Sequence, residues 1–288
     1  MPYLPLNDGV SLFYKDWGNA TGEPVFFSHG WPLNSDNWEL QMNFLGNQGY
    51  RVIAHDRRGH GRSDQPWSGN NIDTWADDIS QLFEHLNLTD ATLVGHSTGG
   101  GDLTRFAARS KTSSGYGAYG SKKRNWVKKL VLISAITPLL LQTPSTPNGV
   151  PLSVFDSQRA AMLKDRSAFF YAVPEGPFFG FNRPNATVSK GLIQSWYNQG
   201  MQASFKSVFD TVKSWETDFR QDLESLDIPV LVIHGDDDQI VPFAGGGNET
   251  IKYLKNGKLK VYPGGPHALP NIEADGINND LLGFLKEA

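Results

Sequence analysis

The 288-residue chain contains no cysteine. That absence excludes thiol nucleophiles, thiolate-bound zinc, iron–sulfur clusters and disulfides together. An excess of positive charge is also missing, since 26 Lys and Arg face 30 Asp and Glu for a formal net charge of -4 at pH 7. Such a balance repels a phosphate backbone or an anionic lipid surface, so neither nucleic acid nor a membrane is expected as a partner. No apolar run approaches the roughly 20 residues of a membrane helix. Met1 to Val10 offers neither a basic stretch nor an apolar leader, and the expectation is a cytoplasmic, unsecreted protein. Asn-x-Thr sequons begin at Asn19, Asn87, Asn185 and Asn248. Without export they meet no glycosylation machinery, and chance accounts for them.

What is present is an alternation. Short apolar runs at Pro24 to Phe27, Arg51 to Ala54, Ala91 to Val94, Lys129 to Ile133, Val230 to Ile233 and Leu259 to Tyr262 have strand length and favour β-branched or aromatic residues. Helix-like segments lie at Asp36 to Leu45, Ile72 to Leu86, Thr98 to Ala108, Gly245 to Leu254 and Ile277 to Lys286. Within the second, Trp75, Ile79, Leu82, Phe83 and Leu86 fall on one helical face. Alternating strands and helices predict an α/β fold with a mostly parallel sheet covered on both sides. The alternation breaks from about Ile136 to Phe219, a strand-poor stretch crowded with aromatics. We therefore expect a core in two parts, 1–135 and 221–288, and a helical cap at 136–220. Most of the cap's aromatics should pack on one another. Pro32, Phe155, Phe178, Phe179 and Trp196 are the candidates to wall an apolar pocket. A second interruption, Ser110 to Asn125, is rich in Gly, Ser and Tyr and ends in Lys122, Lys123 and Arg124; it reads as a solvated loop.

The strongest motif is Gly95-His96-Ser97-Thr98-Gly99, directly after one apolar run and directly before a helix-like segment. A serine exposed on so sharp a strand-to-helix turn requires small neighbours, which Gly95 and Gly99 supply. A phosphate-binding loop fails for want of a Lys after the spaced glycines, and a dinucleotide fingerprint fails for want of an opening Gly-x-Gly. A serine hydroxyl needs a base and an orienting acid, which follow it in the order Ser, Asp or Glu, His. Of seven histidines only His234 and His267 lie beyond Ser97. His234 precedes the acidic cluster, so the base is His267. The acid is one of Asp236, Asp237 and Asp238, all beyond the strand end at Gly235, and spacing does not rank them. Calcium is a poor explanation for this trio, because adjacent carboxylates cannot all face one ion. Two backbone N–H groups should hold the oxyanion. Thr98 follows the nucleophile, and Trp31 is the donor available in Ser28-His29-Gly30-Trp31-Pro32, since Pro32 has no N–H.

These residues carry a family resemblance. The segments Phe27-Ser28-His29-Gly30-Trp31-Pro32, Ala54-His55-Asp56-Arg57-Arg58-Gly59-His60-Gly61-Arg62-Ser63, Gly95 to Gly101, Gly176-Pro177-Phe178-Phe179-Gly180-Phe181-Asn182-Arg183-Pro184 and His234 to Pro242 resemble the cofactor-free haloperoxidase, perhydrolase and aryl esterase branch of the α/β hydrolases. The resemblance spans nearly the whole chain and departs at Ser110 to Asn125. It implies an α/β-hydrolase fold, Asp238 as the acid, and Trp31 and Thr98 as the oxyanion donors. It also implies a serine hydrolase that cleaves small esters and forms peracids with hydrogen peroxide, without heme, metal or other cofactor. A homo-oligomer is left open. The same residues would serve a lactonase, lactamase or carbon–carbon bond hydrolase. A binding or receptor protein with an inert site is the reading of another class, and the full set of Ser97, Asp238 and His267 argues against it. Pro32 restricts the backbone of Trp31, and a Trp31 carbonyl turned into the site would accept a hydrogen bond from peroxide.

Overall fold

The computed structural model describes residues 2–110 and 125–287. Its strands in chain order are β1 (Tyr3–Pro5), β2 (Ser11–Gly18), β3 (Pro24–Ser28), β4 (Arg51–His55), β5 (Ala91–His96), β6 (Val127–Ile133), β7 (Val230–Gly235) and β8 (Gly257–Tyr262). They form one eight-stranded sheet in the order β1-β2-β4-β3-β5-β6-β7-β8. The β1–β2 and β2–β4 pairings are antiparallel and the rest are parallel. All the expected strands are present, and β1 and β2 add an antiparallel edge that the sequence reading did not name.

The helices are α1 (Glu39–Asn47), α2 (Ile72–His85), α3 (Thr98–Ser110), α4 (Leu152–Glu175), α5 (Lys190–Gln202), α6 (Phe205–Ser214), α7 (Arg220–Ser225), α8 (Gly247–Thr250), α9 (Leu269–Ile272) and α10 (Ala274–Lys286). Asn71 starts α2 by accepting the Thr74 N–H, which satisfies one of the helix's orphan donors. Two expected helices are shorter than their patterns. Asp36 to Leu45 divides into a 3-10 turn, Ser35–Trp38, followed by α1. Gly245 to Leu254 contracts to α8 and another 3-10 turn, because Gly245, Gly246 and Gly247 lose much backbone entropy in a helix. The last helix begins earlier than expected, at Ala274.

Successive side chains of a strand point to opposite faces, and here both faces are buried. Phe26, Leu93, Leu132 and Val232 pack with Trp75, Ile79, Phe83 and Phe106 of α2 and α3. Phe27, Val94, Val131 and Ile233 pack on the other side with Met42 and Leu45 of α1 and Leu281 and Phe284 of α10. Between β6 and β7 the chain passes through α4 to α7, and Asp165, with non-helical backbone angles, breaks α4. Apart from its two end residues, the expected loop at Ser110 to Asn125 lies outside the described residues. No helix among the described residues is long and apolar enough to cross a membrane.

Candidate active site

Open parallel sheets gather their chemistry at the C-terminal ends of the strands, and four loops meet there. Ser97 follows β5, Trp31 follows β3, Asp238 follows β7 and His267 follows β8. Ser97 has φ +54°, the left-handed region that a non-glycine residue adopts only when its surroundings dictate it. The turn is tight enough to exclude side chains on either side. A Cβ on Gly95 would lie 2.5 Å from the Gly99 carbonyl oxygen, and one on Gly99 would lie 2.2 Å from that of Ser28. Backbone therefore packs on backbone, bringing the start of α3 against the loop that bears Trp31.

His267 Nδ1 lies 2.8 Å from Asp238 Oδ2. The other carboxylate oxygen, Oδ1, accepts the N–H groups of Ile240 at 2.9 Å and Val241 at 2.8 Å. Burial alone would raise the Asp238 pKa. The charge of His267 and the hydrogen bonds from His234 and His267 outweigh it and hold the group far below the usual carboxylate range. An ionised Asp238 fixes the proton of His267 on Nδ1 and leaves Nε2 as the basic nitrogen. Ser97 and His267 line the same cavity without a direct hydrogen bond among the described residues, and such bonds often form only once a substrate is bound.

His234, set aside by chain order, is brought to the same carboxylate. Its Nδ1 accepts the Gly247 N–H at 3.2 Å, so its Nε2 carries the proton, donates to the Val241 carbonyl at 2.9 Å and stands 3.3 Å from Asp238 Oδ2. His96 donates from Nε2 to the backbone carbonyl of His267 at 3.0 Å. Burial pushes the His96 pKa down to about 3, so its ring is neutral. Phe178 meets the His267 ring edge-on at 5.3 Å.

Neither the Trp31 nor the Thr98 backbone N–H is engaged in a hydrogen bond found among the described residues. Their side chains are tied down instead. The Trp31 indole donates to the Val208 carbonyl, and the Trp215 indole donates to Thr98 Oγ1, both at 3.0 Å. The two rings meet edge to face at 5.2 Å. Beneath them, buried Arg57 donates to the carbonyl of His29 and to Asp102 of α3, linking the Trp31 loop to the helix that Ser97 begins.

A cavity of about 410 Å³ opens onto Ser97 and His267. Its walls include Trp31, Phe155, Phe169, Phe178, Trp196 and Trp215, with Gln158 and Gln239 as polar additions. Of the expected pocket residues, Phe155, Phe178 and Trp196 line it and two do not. Phe179 is spent on packing, stacked on Phe181 at 5.2 Å and edge-on to Phe178 at 5.0 Å. Pro32, joined to Trp31 by a cis peptide bond, packs toward Gly200 of α5. Ile136, Leu140, Val150, Val241 and Pro242 also line the wall; the first three carried no sequence signal beyond being apolar, and the last two lie in the segment His234 to Pro242. Among the described residues no group of three His, Asp or Glu side chains is arranged to hold a metal ion.

The sequence pattern of the alpha/beta hydrolase fold family matches residues 23–270. The chain is 46% identical to a bifunctional esterase/perhydrolase of Acinetobacter calcoaceticus, over 99% of this chain and 100% of that one. It is 48% identical to a non-heme chloroperoxidase of Burkholderia pyrrocinia with the same coverage. Among solved structures, the bromoperoxidase of Bacillus anthracis superposes with a TM-score of 0.87 at 36% identity, covering 96% of each chain.

Proposed function

Because the chain belongs to the alpha/beta hydrolase fold family, with esterase/perhydrolase and non-heme haloperoxidase relatives along its whole length, we propose that it cleaves small carboxylic esters through an acyl-enzyme on Ser97. The observation that carries this reading is the convergence of the strained Ser97 and the Asp238-bound His267 on one apolar cavity. In the cycle, His267 Nε2 takes the hydroxyl proton as Ser97 Oγ attacks the ester carbonyl. The N–H groups of Trp31 and Thr98 receive the oxyanion. Asp238 stabilises the imidazolium, which returns its proton to the departing alcohol. Water, deprotonated by His267, then releases the carboxylic acid and restores Ser97. Hydrogen peroxide in place of water releases a peracid, and the peracid oxidises halide in solution. No step calls on a metal or cofactor.

Residues 136–220, with helices α4 to α6, act as a cap that holds the substrate over Ser97, dividing the core as 1–135 and 221–288. A cytoplasmic setting belongs to the same proposal. Ser97→Ala should abolish both hydrolysis of p-nitrophenyl acetate and labelling by a fluorophosphonate. It should also abolish peracid formation from acetate and hydrogen peroxide. Turnover or labelling that persists refutes the nucleophile.

A further inference from the structure

The acid and the base come from different loops at the margin of the sheet. Among the described residues β8 is an edge strand, paired only with β7, and their ladder ends at Gly235 and Tyr262. Past that point the Gly235 and Gly265 backbones touch, and three polar contacts join the loops. Asp236 N–H donates to the Tyr262 carbonyl, Gly264 N–H donates to Asp236 Oδ1, and His267 meets Asp238. The spacing of Asp238 and His267 also receives support from elsewhere.

That support crosses over from the connection between α4 and α5. Arg183 Nη1 donates to the Gly264 carbonyl at 2.7 Å, and Nη2 donates to the Asp237 carbonyl at 2.7 Å. Its Nε pairs with Asp237 Oδ2 at 2.5 Å. One planar guanidinium thus spans the residue before Asp238 and the residue three before His267. The flanking chain repeats the bridging. Asn182 exchanges amide hydrogen bonds with Gln239, and the Phe178 carbonyl accepts the Ala268 N–H. Gly180, at φ +69°, makes room, since a Cβ there would lie 2.8 Å from the Arg183 guanidinium.

We infer that Arg183 is a positioning residue, the cross-tie of a strap formed by Pro177 to Arg183 that holds the Asp238 and His267 loops in register. Exposed ion pairs contribute little, and the Asp237 carboxylate is 53% exposed. The effect lies instead in two charge-assisted bonds from one rigid fork to two backbone carbonyls. Lys is a point donor and cannot span both.

This inference rests on the triad reading above. The test compares Arg183→Gly and Arg183→Lys with Ser97→Ala in the full-length chain, reading p-nitrophenyl acetate kinetics over pH and the melting temperature. A loop displacement on the scale of 1 Å should lower kcat by about 10²-fold in Arg183→Gly while KM stays nearly constant. With the carboxylate less firmly held against the imidazole, the acid limb of kcat/KM should move to lower pH. Added guanidinium ion should restore activity to Arg183→Gly, and ethylammonium should not. Arg183→Lys should show a smaller loss with the same limb shift, and it decides the question alone if the glycine variant does not fold. Unchanged kcat and acid limb overturn the strap, as does a loss that follows melting temperature and resists guanidinium. Activity that survives in Ser97→Ala would overturn the triad instead.

Discussion

Replacing Asp238 by Asn changes one atom and has no satisfactory orientation. Oδ1 accepts two backbone N–H groups, while Oδ2 faces His267 Nδ1 and His234 Nε2. If the new amide NH2 takes the Oδ1 side, it faces the Ile240 and Val241 donors, and each buried group left unsatisfied costs about 1–3 kcal/mol. If it takes the Oδ2 side, it donates toward His267 Nδ1. The imidazole must then accept there and carry its proton on Nε2, where it cannot receive the proton of Ser97. The second arrangement keeps the backbone bonds and should prevail. Inverting the tautomer in a serine triad lowers kcat by about 10⁴-fold, which corresponds to ~5.5 kcal/mol of transition-state stabilisation. The assay is steady-state hydrolysis of p-nitrophenyl acetate from pH 5 to 9, with a urea titration as control for folding. Adding Ser97→Ala to Asp238→Asn should cost little more than Ser97→Ala alone, because the residues act as a unit. A folded Asp238→Asn variant with kcat within tenfold of the parent would refute this account of the base.

Gly99→Ala would drive a methyl group into the Ser28 and His29 carbonyls. It should part the Thr98 and Trp31 donors and lower kcat by roughly 10²–10³-fold, the cost of one oxyanion donor; an active Gly99→Ala enzyme would remove the case for a tight elbow. Trp215→Phe deletes the bond to Thr98 Oγ1 and should destabilise the fold by about 1 kcal/mol while raising KM for aryl esters, checked by urea midpoint and kinetics. Stability should fall on acidification. Buried His55, His60 and His96 are depressed to about 3, and His29 is also depressed by burial, so each takes up a proton on unfolding between their folded values and 6.5. Asp78 and Asp102, raised by burial to about 6, oppose this, because unfolding releases their protons over pH 4 to 6. The histidines prevail by about two protons near pH 5, or ~3 kcal/mol per pH unit, so the urea midpoint should drop from pH 6.5 to 5. A flat or rising midpoint would refute that balance.

Periodicity made the central strands legible because their side chains are apolar on both faces, as a parallel sheet with helices on each side requires. It failed at β2, where Lys15 is buried directly after buried Phe13 and Tyr14 yet keeps its charge satisfied by Asp36 and Glu39, 2.6 Å away in each case. No local pattern announces such a pair, because the partners lie beyond the next strand. The site divides along the same line. Ser97 was legible because a sharp turn demands Gly95 and Gly99 beside it, a constraint written within five residues. His234 was dismissed by a rule of order that assigns one acid and one base, and the rule has no place for a second imidazole on the same carboxylate. Arg183 was visible as a letter in a familiar segment, but its partners Asp237 and Gly264 lie 54 and 81 residues further on. What the sequence conceals is therefore the set of contacts that decides whether the reacting atoms meet. Those contacts join loops separated by whole helices and are chosen by geometry more than by residue type. For that reason Arg183→Lys, which preserves charge and approximate length, separates positioning from mere attraction better than any deletion.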